Sequence, residues 1–166
     1  MIRHCRRVRK TARSRDLAEE LPIRITDRVL IDRSPSDVWA VVTDLDSHPR
    51  WRPALQEFRQ ISDGPLGVGS RIHEKLRWRG REITLEDEVT ALEPERRLGM
   101  RGGWKAADFD LELLLEPSGQ ATTVTFDWTL QPKSLLMHAV APLLKRNLKR
   151  VTAEELEELR RYVEGR

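Results

Sequence analysis

Two carboxylates stand where the hydrophobic pattern calls for apolar side chains. Residues 70–79 and 81–92 alternate between polar and apolar types on either side of Gly80, which predicts a β-hairpin. With the turn centred on Arg79-Gly80, Arg77 faces Glu82, His73 faces Glu86 and Arg71 faces Glu88, so opposite charges meet across one face. The other face carries Ile72, Glu74, Leu76 and Trp78, then Ile83, Leu85, Asp87 and Val89. Glu74 and Asp87 therefore share a face with the core. A carboxylate placed there must be paired, hydrogen-bonded or neutralised, because an isolated charge in an apolar site is costly. Such groups could move protons in a ligand pocket. An internal ion pair with an arginine, or a strand end reaching solvent, would explain them without chemistry.

His138, in the last helical segment, is the third candidate for proton transfer. The other histidines are scattered: His4 in the N-terminal segment, His48 in a loop and His73 on the outer sheet face. This dispersion supports no nucleophile arrangement of the His/Ser/Asp kind. Cys5 is the single cysteine, which excludes an internal disulfide and a cysteine-rich metal site. No phosphate-cradling glycine motif is present, and no metal or cofactor is expected. The Gly102-Gly103 pair reads as a bulge or bend in a curved sheet.

These residues need elements to hold them. Ile25, Val29, Leu30 and Ile31 predict a strand near residues 24–32. Ser34, Pro35 and Asp37 then mark a helix start: a hydroxyl for a free N–H, a residue with no N–H to lose, and a negative charge at the positive end. Val38, Val41, Val42 and Leu45 recur at helical spacing until Asp46-Ser47-His48-Pro49, and a short turn over Pro49–Pro53 is expected to present Trp51. Strands are predicted at 55–61, 70–79, 81–92, 96–104, 107–116 and 121–131, with turn signals such as Glu93-Pro94 and Pro117-Ser118-Gly119 between them. Short connections favour an antiparallel meander. Val140, Leu144, Leu148, Val151, Leu159 and Tyr162 then form the apolar stripe of a long C-terminal helix, which Pro142 should kink or delay. Thr152 with Glu155 matches a capping box, but the stripe runs through it and favours one continuous helix.

The composition, 39% hydrophobic and 34% charged over 166 residues, is that of a soluble globular chain with one domain-sized core. No run approaches the ~18 apolar residues of a membrane span, and the N-terminus lacks the apolar core of a secretory signal. Cytoplasmic residence is the default expectation. The net charge of +3 is unevenly placed: seven basic and three acidic residues put +4 on residues 1–22, leaving −1 on residues 23–166. The division expected is a basic, disordered tail over 1–22 and a folded domain over 23–166.

Residues 29–55, VLIDRSPSDVWAVVTDLDSHPRWRPAL, resemble the opening of the START-like (SRPBCC) superfamily, in its polyketide cyclase/dehydratase-like branch. The run Gly64-Pro65-Leu66-Gly67-Val68-Gly69-Ser70-Arg71 resembles the loop into that family's third strand, and Val89-Thr90-x-Leu92-Glu93-Pro94 its strand-ending pattern. The resemblance spans roughly residues 24–163. It implies an α+β helix-grip fold, in which about seven antiparallel strands curve around the long C-terminal helix and enclose an apolar cavity. Trp51, Leu76, Trp78, Leu85, Met100, Trp104, Phe109, Leu111, Phe126 and Trp128 would line it, with Glu74, Asp87 and His138 as its polar groups. The family's motifs mark architecture and leave the activity open. The first expectation is binding of a small lipid-, quinone- or polyketide-like molecule. The second is a cyclase/dehydratase-like enzyme using the cavity's acid/base groups. A nucleic-acid- or ribosome-associated factor working through the Arg-rich tail ranks third, since Lys145-Arg146-x-x-Lys149-Arg150 has neither aromatic interleaving nor an RNA-module signature.

Overall fold

The computed structural model describes residues 22–166 apart from Arg79, and only the backbone of Leu135 and His138. The basic tail expected over residues 1–22 lies outside the described residues except for Pro22. In chain order the elements are β1 (Ile23–Ile31), α1 (Pro35–Val42), a 3-10 helix (Leu45–Arg50), β2 (Leu55–Gln60), β3 (Arg71–Trp78) and β4 (Arg81–Glu93). They continue with β5 (Arg97–Trp104), β6 (Ala107–Ser118), β7 (Ala121–Pro132), α2 (Leu135–Ala139) and α3 (Ala141–Glu164).

The strands form one seven-stranded antiparallel sheet in the order β1-β7-β6-β5-β4-β3-β2. Six of them are a meander, and β1 closes back on β7 with Ile25 opposite Trp128. The chain therefore crosses from one sheet edge to the other between β1 and β2, by way of α1 and the 3-10 helix. This is the expected helix-grip architecture. The central hairpin has the register deduced from charge pairing: Arg71, His73 and Arg77 stand opposite Glu88, Glu86 and Glu82. Gly80 permits the tight turn with φ of 76°. On the outer face Lys75 and Arg77 reach Glu82 at 3.2 and 3.8 Å, and Arg71 pairs with Glu86.

Two segments depart from expectation. α1 stops at Val42, where the Thr43 hydroxyl donates to the Trp39 carbonyl at 2.7 Å. The short turn forms earlier than Pro49–Pro53, over Leu45–Arg50, because the Ser47 hydroxyl bonds the carbonyls of Val41 (3.0 Å) and Asp44 (2.8 Å). Trp51 follows it and is buried. The other departure is Gly102-Gly103, which makes no bulge. Register shifts fall instead between Val89 and Ala91 on β4 and between Leu55 and Glu57 on β2.

α3 is continuous from Ala141, with Pro142 in its first turn where no backbone donor is lost. It divides into two parts. Leu156, Leu159 and Val163 are fully packed against Ile31, Val38, Val41 and Val42 of β1 and α1. The N-terminal half, through Leu144 and Leu148, meets a second cluster around Leu85, Phe109 and Leu130 and is only half-buried. Val140 departs from the expected stripe and is 41% exposed. The firm end holds the helix on the sheet, and the loose end spans the space beneath it.

The start of α1 is capped as its residues require: the Ser34 hydroxyl accepts from the Asp37 N–H at 3.2 Å and donates to the Asp37 carboxylate at 2.7 Å. Ser34→Ala is expected to lower unfolding stability by about 1 kcal/mol with an unchanged denaturant slope. An unchanged midpoint in urea would show that the cap contributes nothing.

Candidate functional site

Between the concave face of the sheet and the N-terminal half of α3 lies a cavity of about 350 Å³. Inward-facing residues alternate along each strand, so the wall can be followed strand by strand. Glu74, Leu76 and Trp78 come from β3, Leu85 and Asp87 from β4, and Met100 and Trp104 from β5. Phe109 and Leu111 come from β6, Phe126 and Trp128 from β7, and Trp51 from the end of the 3-10 helix. All ten apolar candidates and both carboxylates are brought together. His138 lies on α2, its side chain outside the described residues. Phe109 stacks on Trp128 at 5.6 Å, with Trp104 and Phe126 tilted against the pair, making an aromatic shelf across β5–β7.

The polar end of the cavity is built on a residue that pattern alone did not single out. Arg52, just after Trp51, donates from Nη2 to the Glu74 carboxylate at 2.6 Å and from Nε to Glu155 at 3.5 Å. Its guanidinium carbon lies 5.5 Å from the centre of the Phe58 ring. Burial opposes its charge, but Glu74 and Glu155 outweigh burial and hold it firmly protonated. Burial raises the Glu155 carboxyl above its ordinary range, against the pull of Arg52 and with repulsion from Glu74 adding to the rise. One signal for Glu155 was present in the sequence: it sits on the same helical stripe as Leu144, Leu148 and Val151, all of which line the cavity.

Asp87 has a different role in the cluster. It is 3% exposed, and its Oδ1 has no hydrogen-bond partner among the described residues. The space for it comes from Gly102, where an added Cβ would stand 1.9 Å from that oxygen. Gly102 is thus needed for close approach, the second use of a strand glycine. Burial first, then repulsion from Glu74 and a hydrogen bond that protonated Asp87 donates to it, push the Asp87 carboxyl up to about 8, with Arg52 opposing. Near neutral pH the group is mainly the neutral acid.

His48, expected in a loop, is buried in the 3-10 helix, where it stacks on Phe58 at 4.4 Å and lines the cavity. Burial, then the Arg52 charge, lower its pKa to about 3, so the imidazole is neutral. Its Nε2 donates to the Val42 carbonyl at 2.9 Å, which places the proton on that nitrogen. Among the described residues no three His, Cys, Asp or Glu side chains converge as metal ligands.

The Asp87 shift carries a sign for stability. A carboxyl whose folded value is raised stabilises fully below its unfolded value of about 3.9, and that contribution is lost as pH rises through about 8. The melting temperature of the parent protein should therefore fall relative to Asp87→Asn from about pH 4 upward and level off above about pH 8. Parallel pH profiles for the two proteins would rule out a neutral Asp87.

No curated protein sequence matches the chain. Solved structures share its shape. One is the Zhui aromatase/cyclase from Streptomyces sp. R1128, at 13% identity and a TM-score of 0.73, covering 85% of this chain and 93% of that one. Another is TTHA0849 from Thermus thermophilus, at 14% identity and a TM-score of 0.70, covering 84% and 96%. The di-domain aromatase/cyclase StfQ of steffimycin biosynthesis, at 12% identity and a TM-score of 0.74, is covered over 51% of its chain by 87% of this one. Identities this low speak to the fold alone. Residues 22–164 match the family model for polyketide cyclase / dehydrase and lipid transport, and the chain belongs to that family of the SRPBCC superfamily.

Proposed function

We propose that the protein binds a small hydrophobic or aromatic molecule, lipid-, quinone- or polyketide-like, inside this cavity. The observation that carries the proposal is a space of about 350 Å³ with apolar and aromatic walls on nearly every side. That volume and lining are those of ordinary small-ligand sites. The cation at the site's polar end, Arg52, is already engaged by Glu74 and Glu155, which disfavours a ligand held mainly by its negative charge. Burial of apolar ligand surface on the Phe109–Trp128 shelf would supply most of the affinity. The nucleic-acid expectation rests on the Arg-rich tail, which apart from Pro22 lies outside the described residues.

Native mass spectrometry of the purified protein, followed by solvent extraction, should reveal a bound apolar compound. The neutral aromatic probe N-phenylnaphthylamine should raise the melting temperature, equivalent to about 2.7 kcal/mol at a hundredfold excess over its dissociation constant. Leu111→Trp, which fills the cavity from β6, should abolish that gain while the protein still folds. No uptake by the parent protein, or equal uptake by the filled variant, would defeat the binding reading.

A second reading, a cyclase/dehydratase-like enzyme, is favoured by Asp87. Ring closure of a polyketone needs a base to remove a proton beside a carbonyl and an acid to protonate the oxygen under attack. Loss of water then needs an acid for the departing hydroxyl and a base for the proton leaving the neighbouring carbon. A neutral carboxyl beside a carboxylate fits that division of labour, with Asp87 as acid and Glu74 as base. On a linear poly-β-keto thioester, Asp87→Asn and Glu74→Gln should each lower turnover by about 10²–10⁴-fold. Unchanged turnover in both variants would remove these residues from the chemistry.

A further inference from the structure

Three of the five large apolar side chains exposed among the described residues lie together on α2 and the start of α3, the other two being Leu30 and Val68. Leu136 is 74% exposed, Leu143 61% and Val140 41%, while Met137, Leu144 and Leu148 of the same helices line the cavity. Charge is also segregated. Between Asp127 and Glu154 the chain has no acidic residue, against 27 in its full length, and it carries Lys133, Lys145, Arg146, Lys149 and Arg150. Lys133 pairs with Asp108 and Arg150 with Glu154, but Lys145, Arg146 and Lys149 have no carboxylate partner among the described residues. All three are exposed.

We propose that this end of the molecule, the α2–α3 corner, docks on the surface of a bilayer containing anionic phospholipid. Leu136, Val140 and Leu143 enter the acyl region, and Lys145, Arg146 and Lys149 lie against the headgroups. The chemistry selects a membrane over a protein partner. The exposed apolar side chains are aliphatic, carry no hydrogen-bonding group, and sit beside flexible basic chains that can reach outward to phosphate. A protein interface would favour aromatic anchors and fewer lysines at its centre. An anionic leaflet supplies the complementary charge over the whole basic stretch. The cavity lies directly behind these helices, so docking would set an apolar ligand's route against the apolar phase. The proposal rests on the hydrophobic-ligand reading above.

The test is co-sedimentation of the full chain with vesicles of phosphatidylcholine alone or mixed with phosphatidylglycerol, at low and high salt. The parent protein should sediment with the mixed vesicles and be released by salt. Leu136→Ser with Leu143→Ser should lower partitioning by at least about tenfold. Lys145→Glu, Arg146→Glu and Lys149→Glu together should lower it by about fivefold or more per residue. The N-terminal basic segment is intact in both variants, so undiminished sedimentation of both would assign binding to that segment and overturn the proposal. A parent protein that ignores the mixed vesicles would also overturn it, including one that self-associates through this corner or captures an acidic protein instead. Leu143→Gln alone serves if the double variant is unstable. Uptake of N-phenylnaphthylamine from solution separates the two readings: the surface variants should keep it, and its absence in the parent protein would sink the cavity reading whatever the vesicles show.

Discussion

Arg52 is a guanidinium largely, though not fully, screened from water, and the groups that make this tolerable come from separate parts of the fold. Glu74 is supplied by β3, Glu155 by α3, and Arg52 itself by the segment linking the 3-10 helix to β2. A buried cation is stable only with well-placed partners, and breaking such a pair typically costs about 3–5 kcal/mol. The cluster therefore constrains where α3 crosses the sheet, at the level of Val151 to Glu155. It also sets the state of its neighbours. One cation among three carboxyls leaves an excess of acidic groups, and the most buried of them, Asp87, resolves that excess by keeping its proton. The cavity begins where this cluster ends.

Packing and vacancy divide the molecule along α3. Past Glu155, Leu156, Leu159 and Val163 are packed as tightly as a protein interior requires, against β1 and α1. Before it, Leu144, Leu148 and Val151 are only half-buried and line the cavity. A sheet that curves around a helix cannot be filled equally along its length. In this chain the residual space falls where β5, β6 and β7 present aromatic rings. The deepest burial is thus concentrated at one end of the helix.

Much of the fold could be read from the sequence because sheet faces follow a period of two. Glu74 and Asp87 were placed on the inner face by alternation alone, and cross-strand charge fixed their hairpin's register. An ion pair with an arginine is one way to accommodate such carboxylates, and for Glu74 it is realised. Its partner was illegible because Arg52 lies in irregular chain, where no period assigns a face. Gly102, with Gly103, reads as a bulge or bend for a related reason. Its use is to admit Asp87 from the neighbouring strand, and the bulge between Val89 and Ala91 breaks the simple count that would have aligned them. Glu155 was hidden by its agreement with a capping box at Thr152, although it continues the inward stripe. His48 looked like a loop residue because a 3-10 helix leaves no apolar rhythm to betray its burial.

The charges of α3 run against the needs of an isolated helix. A helix favours acidic residues at its start and basic ones at its end. Here Lys145, Arg146, Lys149 and Arg150 occupy the first half, and Glu154, Glu155, Glu157, Glu158 and Glu164 the second. Near the C-terminus Arg160 bonds Glu157 and Glu164, and Arg161 bonds Glu157 and Glu158, which offsets part of the mismatch. No comparable carboxylates temper Lys145, Arg146 and Lys149 among the described residues. Helix stability does not call for this order, and burial cannot, since these side chains are exposed. The charge order of α3 thus stands apart from the demands of both the helix and the core. Its position beside the exposed Leu136 and Leu143, on the helices that wall the cavity, ties this basic surface to the ligand space behind it.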